Sequence, residues 1–256
     1  MSHADHELLV PAPAEGRIYE ASRRVRLGDA SPGGRLRLDA CARYLQDIAN
    51  DDSRDAGSPN PTAWVARRTV VSVEHFPEYL DLLALRTWCG GLGSRWAERR
   101  YSVAGDDGSG GCIEAATLWV HIDMMTMKPI AVPADFAEQF GAAAGGRTVS
   151  ARLRLPTSVP TELTAQSAWP LRFADFDVLG HVNNCVYWAI VEEQLARLRD
   201  LRAPLTVTLE HHGAIDPGAA VRVSVVDTES GFDLWITTTD DRVAAVVRAA
   251  AGTTIA

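Results

Sequence analysis

A chain of 256 residues with 46% hydrophobic composition can bury a substantial core and is long enough for one large domain or two of about 100–150 residues. Its formal net charge of −8 argues against nucleic acid as a partner, because phosphate binding draws on Lys and Arg clustered in a basic domain. A basic start leading into an apolar stretch is missing, as is any run of 18 apolar residues, so we expect neither a leader nor a membrane span, and a cytoplasmic location.

Residues 1–17, with His3 and His6, read as an extended or disordered start. The first half is expected over 18–140. There Val25–Leu27 reads as a short strand, 29–34 as a turn and Leu38–Ala56 as a helix, since Cys41, Tyr44, Leu45, Ile48 and Ala49 recur at helical spacing. Asp39 is a candidate cap at its start; Gly57, Pro59 and Pro61 end it. Thr69–Glu74, Leu82–Cys89, Arg95–Ala104 and Ile113–Asp123 follow as strands, divided by turns such as Gly90-Gly91 and Asp107-Gly108. Residues 141–164 read as a linker, with a short helix at most near Phe136–Gly146.

The second half, 165–256, repeats the order. Trp169–Phe173 is a strand, 175–181 a turn and Asn184–Leu201 a helix with Val186, Ile190, Val191, Leu195 and Leu198 on its apolar face; Leu205–Glu210, Ala219–Val226, Phe232–Thr238 and Val243–Ala250 are strands. A long helix after one short strand, followed by antiparallel strands, does not build a parallel doubly wound sheet. It suits an antiparallel sheet wrapped around a long central helix, the hotdog arrangement, and two such halves make an α+β tandem (double) hotdog.

The densest chemistry lies between the strand and the helix of the second half. Arg172, Asp175, Asp177, Gly180, His181, Asn183 and Asn184 fall within thirteen residues, followed by Tyr187. A weaker copy lies 146 positions earlier, where Arg26, Asp29 and Gly34 repeat Arg172, Asp175 and Gly180, but Ser31 and Arg35 stand where Asp177 and His181 do. The halves therefore share a turn, and only the second carries the reactive pair. Asp29 and Asp175 recur in both, so they are expected to hold the turn, through Arg26 and Arg172 or backbone amides.

The run Asp-x-Asp-x-x-x-His-Val-Asn-Asn with a following aromatic, Asp175 to Asn184 and Tyr187, resembles the C-terminal half of the acyl-acyl-carrier-protein thioesterases of plastids and bacteria. Arg26, Asp29, Gly34 and Leu36 resemble their N-terminal hotdog, as does Thr117 to Asp123, with Trp119 and His121, followed by Pro129 and Pro133. The resemblance covers nearly all of the chain from Ile18 on. It implies a thioester hydrolase of fatty acid biosynthesis that needs no metal or cofactor and whose partner is an acyl carrier protein with its acyl-phosphopantetheine arm. Two departures stand out: Leu179 occupies the place of an asparagine in the plant enzymes, and His212 aligns with a catalytic glutamate, with Glu210 two residues earlier.

Cleaving a thioester with water needs a base, donors aimed at the carbonyl oxygen, and a thiolate that can leave. Asp177 can activate water or attack as a nucleophile, and His181, four residues on, can orient it or relay the proton. Both are placed at the start of the following helix, whose unsatisfied N–H groups and positive dipole end can hold an oxyanion. Asn183 or Asn184 is expected to cap that end and contact substrate. The plainer reading makes Asp177 and Asn183 turn residues tying up backbone amides. Glu210 and His212 share one strand face, so either can stand in for the missing glutamate, while His211 faces the other way as a structural residue. Trp119 and His121 alternate on a strand, to line an acyl tunnel or, the favoured reading, to pack in the core. Cys41, Cys89, Cys112 and Cys185 lack disulfide or zinc spacing and read as buried thiols. Arg67-Arg68, Arg95 with Arg99-Arg100, and Arg147 with Arg152 and Arg154 suit the phosphates of acyl-CoA or an acidic partner, against the plainer reading of a solvated face. Hydrolysis of fatty acyl-carrier protein is the leading function, with the active site between the halves. An acyl-CoA thioesterase or a non-catalytic acyl-thioester or carrier-protein binding module are the alternatives, and a dehydratase ranks last. A homodimer is compatible with the duplicated chain.

Overall fold

The computed structural model describes residues 11–57, 64–105, 111–198 and 201–252. His3, His6, Pro59, Pro61 and the Asp107-Gly108 turn lie outside them. The chain runs β1 (Ile18–Arg24), α1 (Leu38–Asp55), β2 (Trp64–His75), β3 (Leu82–Leu92), β4 (Trp96–Gly105), β5 (Cys112–His121), α2 (Ala134–Phe140), β6 (Ala165–Trp169), α3 (Asn184–Arg197), β7 (Leu205–His211), β8 (Val221–Thr228), β9 (Gly231–Thr238) and β10 (Val243–Ala251).

The strands form one ten-stranded sheet in the order β1-β3-β4-β5-β2-β7-β10-β9-β8-β6. Read from each outer edge inward, the two halves have the same order, and they join where β2 pairs antiparallel with β7, from Arg68 opposite Glu210 to Val73 opposite Leu205. Every pairing between named strands is antiparallel. This is the double hotdog expected from the element order, with the two sheets fused into one.

Helices α1 and α3 lie against each other and against one face of the sheet. In α1 the buried Cys41, Tyr44, Leu45, Ile48 and Asp52 recur every three or four residues, which puts them on the stripe facing the sheet. Ile190, Val191 and Leu195 do the same in α3, and the resulting core, with Val71, Val103, Val207 and Leu209 from the sheet, is continuous across the halves. Among the described residues, no helix is long and apolar enough to cross a membrane.

Several local expectations shift. The first strand of each half lies upstream of its expected place, at 18–24 and 165–169 instead of 25–27 and 169–173. Both are edge strands whose polar residues face solvent, so their apolar signal is weak, and Pro170, which has no N–H to donate, follows the second directly. The residues read as strand, Leu27 and Phe173, begin tight 3-10 turns and are 78% and 98% exposed. Asp39 is not the cap of α1: Arg37 holds that position, and the Asp39 carboxylate accepts from Arg37 (2.8 Å) and Arg43 (2.9 Å), which keep it below the usual carboxylate range against the effect of burial.

Of the arginine groups, Arg67, Arg68, Arg99, Arg100 and Arg147 bond within the protein, whereas Arg95, Arg152 and Arg154 are exposed. Arg99 and Arg17 both meet the buried Asp52, while Glu98 accepts from Arg100 (2.8 Å) and Arg147 (2.6 Å). Beyond α2, the segment 147–156 crosses the face of the sheet opposite the helices. The Trp96 indole donates to the Val149 carbonyl (2.7 Å), Arg68 to that of Arg152 (2.9 Å) and the Trp235 indole to that of Pro156 (2.8 Å).

Candidate active site

The turn of the second half is built from its own backbone. Arg172 N–H donates to Asp175 (2.8 Å) and the Arg172 guanidinium returns to the same carboxylate (2.8 Å), closing a 3-10 turn on an aspartate only 2% exposed. Asp177 N–H then donates to the His181 carbonyl (3.0 Å) and Gly180 N–H to that of Asp177 (3.0 Å), a reversal that Gly180 completes at φ +77°. The Asp177 carboxylate takes the Leu179 N–H (2.9 Å) on Oδ1. Asn183 N–H donates to the Asp175 carbonyl (2.9 Å), and the Asn183 side chain caps α3 by accepting from Cys185 N–H (2.9 Å). With the Val186 N–H bonded to the Asn183 carbonyl (3.0 Å), the Asn184 N–H is left without an acceptor among the described residues.

Tertiary contacts add groups that the motif does not contain. Val182 N–H donates to the Ile215 carbonyl (3.0 Å), which brings the 212–216 loop against the turn. There Asp216 Oδ1 lies 3.6 Å from His181 Nε2. Tyr187, on the first turn of α3, is held above the ordinary phenol range by burial, opposed by Arg242 and reinforced by Asp177 and Asp216. Asp177, His181, Asp216 and Tyr187 thus form one cluster at the start of α3. In sequence Asp216 reads only as part of an Asp-Pro-Gly turn and Tyr187 only as the aromatic after the motif.

Glu210 is not in this cluster, which corrects its place among the candidate catalytic residues. Leu205, Val207 and Leu209 face the helices, so strand alternation turns Glu210 to the opposite face. There it is fully buried, and its carboxylate accepts from the backbone N–H groups of Arg154 (2.9 Å) and Leu155 (2.9 Å), pinning the linker to the sheet. Glu210→Gln is expected to leave kcat near the parent value and to lower stability by about 1–3 kcal/mol, through loss of charge-assisted bonds, in a denaturant titration. His212 follows the end of β7. Its imidazole is half-buried with Nε2 unpartnered among the described residues, and burial then Arg67 push it below the ordinary histidine range against Glu210.

His211 is the residue that faces the helices, edge-on to Tyr187 at 4.8 Å. Burial drives its pKa down to about 3, with His212 and Arg67 adding to the effect. The unfolded chain binds this proton below about pH 6.5 and the folded protein only near pH 3, so the contribution to stability is full above pH 6.5 and is lost as pH falls toward 3. His211→Phe is expected to flatten the decline in Tm between about pH 7 and pH 4.

The first half repeats the turn bond for bond. Ser31 N–H donates to the Arg35 carbonyl (2.8 Å), Gly34 N–H to that of Ser31 (2.9 Å), Leu36 N–H to that of Pro77 (2.7 Å) and Arg37 N–H to that of Asp29 (3.0 Å), with Gly34 at φ +90°. The Asp29 carboxylate differs from its counterpart in taking the Tyr44 hydroxyl (2.7 Å) and Arg43 (3.3 Å) in place of the Arg26 side chain. At the start of α1, Glu192 from α3 accepts the Leu38 N–H (3.0 Å) and Arg35 on both oxygens (2.5 and 3.2 Å). That helix end is therefore closed by the protein's own carboxylate.

Two cavities flank Trp119. One of about 30 Å³ lies between Asn184 and Trp188 of α3, Gln46 of α1, and Thr69 and Tyr101 of the sheet. The other, about 70 Å³, continues along α1 past Gln46 toward Trp64, Arg99 and Phe136. Trp119 is thus a cavity wall, not the core residue favoured from sequence. His121 is structural, bonded through Nδ1 to the Ala131 carbonyl (2.7 Å) and packed at a tilt against the Trp64 ring at 4.9 Å. Cys41 and Cys185 are buried thiols with pKa values pushed up to about 12 by burial.

Residues 16–140 match the N-terminal domain of acyl-ACP thioesterases and residues 159–250 their C-terminal domain. An uncharacterized protein of Mycobacterium tuberculosis is 29% identical over 243 residues, covering 94% of this chain and 95% of that one. The 12:0-ACP thioesterase from Umbellularia californica superposes with a TM-score of 0.78 at 18% identity, covering 92% and 97% of the two chains. An acyl-ACP thioesterase from Bacteroides thetaiotaomicron does so with a TM-score of 0.73 at 16% identity, covering 91% and 97%. The superpositions carry the fold, and the two domain models, matched in order along the chain, carry the family: this chain belongs to the acyl-ACP thioesterases and is a thioester hydrolase.

Proposed function

We propose that the protein hydrolyses fatty acyl-acyl carrier protein to a free fatty acid and the carrier thiol, with water activated at the Asp177/His181 turn. The observation that carries this reading is the contrast between the two turns. In the first, Glu192 occupies the helix end; in the second, Asn184, whose N–H has no acceptor among the described residues, lines a cavity, with Asp177 and His181 on the preceding turn. Asp177, whose Oδ1 is steadied by Leu179 N–H, takes a proton from water as its oxygen adds to the carbonyl carbon. The charge that develops on the carbonyl oxygen falls at the positive end of α3. His181, held toward Asp216, orients the water and carries the proton to the departing thiolate as the C–S bond breaks.

Glu210 takes no part, and Asn183 serves as a cap that sets the helix end, with Asn184 beside the substrate. His212 acts on the turn only through the loop that it begins. The halves 18–140 and 165–256 function as one unit, with 141–164 strapped across the sheet between them. A cytoplasmic role in fatty acid biosynthesis fits the carrier substrate.

The test is thiol release from acyl-ACP and acyl-CoA across several chain lengths. Turnover on the carrier protein exceeding that on CoA for the same acyl chain supports the reading. Faster turnover on CoA makes the protein an acyl-CoA thioesterase, and no release from either substrate sinks the hydrolytic reading.

A further inference from the structure

The two helix N-termini differ in what faces them from the opposite helix. The spacing of 146 that relates the halves carries Leu38 to Asn184, Arg35 to His181 and Gln46 to Glu192. Gln46 on α1 should therefore stand toward Asn184 as Glu192 on α3 stands toward Leu38. Both line the 30 Å³ cavity. Where the first half has a carboxylate bonded to the helix amide, the second has a neutral carboxamide and open space. Gln46 makes no hydrogen bond within the protein, among the described residues, and Trp119, whose indole faces the Tyr101 hydroxyl, lines the same cavity.

The exchange of Glu for Gln decides what each helix end can do. A carboxylate at an N-terminus satisfies the exposed N–H group and the dipole permanently, and it repels a second negative charge. A carboxamide adds an N–H donor without charge, so the pair of donors is left for an oxygen that becomes negative only in the transition state.

We propose that Gln46 is a catalytic residue of this thioesterase, supplied by the first half, whose Nε2–H donates to the thioester carbonyl oxygen together with Asn184 N–H. The assignment rests on the hydrolytic reading above. As the water oxygen bonds to the carbonyl carbon, the π pair moves onto the carbonyl oxygen and is held by these two donors. When the tetrahedral species collapses, that pair re-forms C=O and the C–S pair leaves with sulfur. No proton passes through Gln46. The nonreactive half is thus part of the active site, which spans the seam between α1 and α3.

The experiment compares Gln46→Ala, Gln46→Met and Gln46→Glu with the parent on whichever acyl thioester the parent turns over. Removing one oxyanion donor is expected to lower kcat by roughly 10²–10³-fold in the first two variants. Gln46→Glu should lose at least as much, since it recreates the closed helix end of the first half. Affinity for the S-alkyl thioether analogue, in which CH2 replaces the carbonyl, should be unchanged in all three. Gln46→Met preserves shape and packing if Gln46→Ala folds poorly. Parent-level kcat in a folded Gln46→Met variant overturns the proposal, and so does a loss of thioether affinity as large as the loss of kcat. Should the parent release no thiol, the hydrolytic reading fails separately. The affinity difference between thioester and thioether, in parent and variant, then decides whether Gln46 touches the carbonyl.

Discussion

Asp177→Asn is expected to lower kcat by about 10²–10⁴-fold while leaving the fold and Tm close to those of the parent, because it removes a general base at almost constant shape. The asparagine keeps an amide oxygen in place of the carboxylate oxygen that accepts from Leu179 N–H, so the reversal through Gly180 is preserved. Only the charge, and with it the ability to take a proton from water, is lost. Steady-state kinetics with a thermal melt on the same preparation separates the two contributions. Hydrolysis at the parent rate would make Asp177 a turn residue, the plainer role that its bond to Leu179 already describes.

The second large effect is a reciprocal one between the halves. His181→Ala is expected to lower kcat by about 10²-fold or more with little change in stability, since it removes a proton carrier whose partner Asp216 is an exposed side chain at 3.6 Å. Arg35→Ala should do the reverse. Glu192 is 8% exposed and would lose its bidentate partner, at a cost of roughly 1–3 kcal/mol, while the rate per folded molecule stays near that of the parent. Ser31→Ala should change neither. A fall in rate per folded molecule after Arg35→Ala comparable with that after His181→Ala would mean that both turns take part in chemistry.

Much of the fold is legible in the sequence because it rests on local pattern. The start of α1 at Leu38 and its end at Asp55 follow from apolar residues at helical spacing. The inner strands follow from their apolar runs, whereas the edge strands at 18–24 and 165–169 read poorly because half of each faces water. Alternation along β7 correctly separates Glu210 from His211. It does not say which face the helices cover, and the linker across the far face makes Glu210 a clasp. Trp119 reads as core for the same reason, since a cavity wall and a core position share one alternation.

The sequence by itself determines the duplication, the antiparallel order of each half and the two turns, all of which follow from residue spacing and from backbone bonds a few positions apart. Which helix end is closed and which is open is decided only by the tertiary structure. Glu192 reaches Leu38 across 154 residues, from one helix to the other, when the two halves share a sheet and a core. Such a contact depends on how α1 and α3 cross, and packing sets that geometry where local spacing does not. The same crossing puts Gln46 and Asn184 on the walls of one cavity, and the 212–216 loop brings Asp216 to His181, so the chemistry of the motif is completed by residues that no local pattern marks.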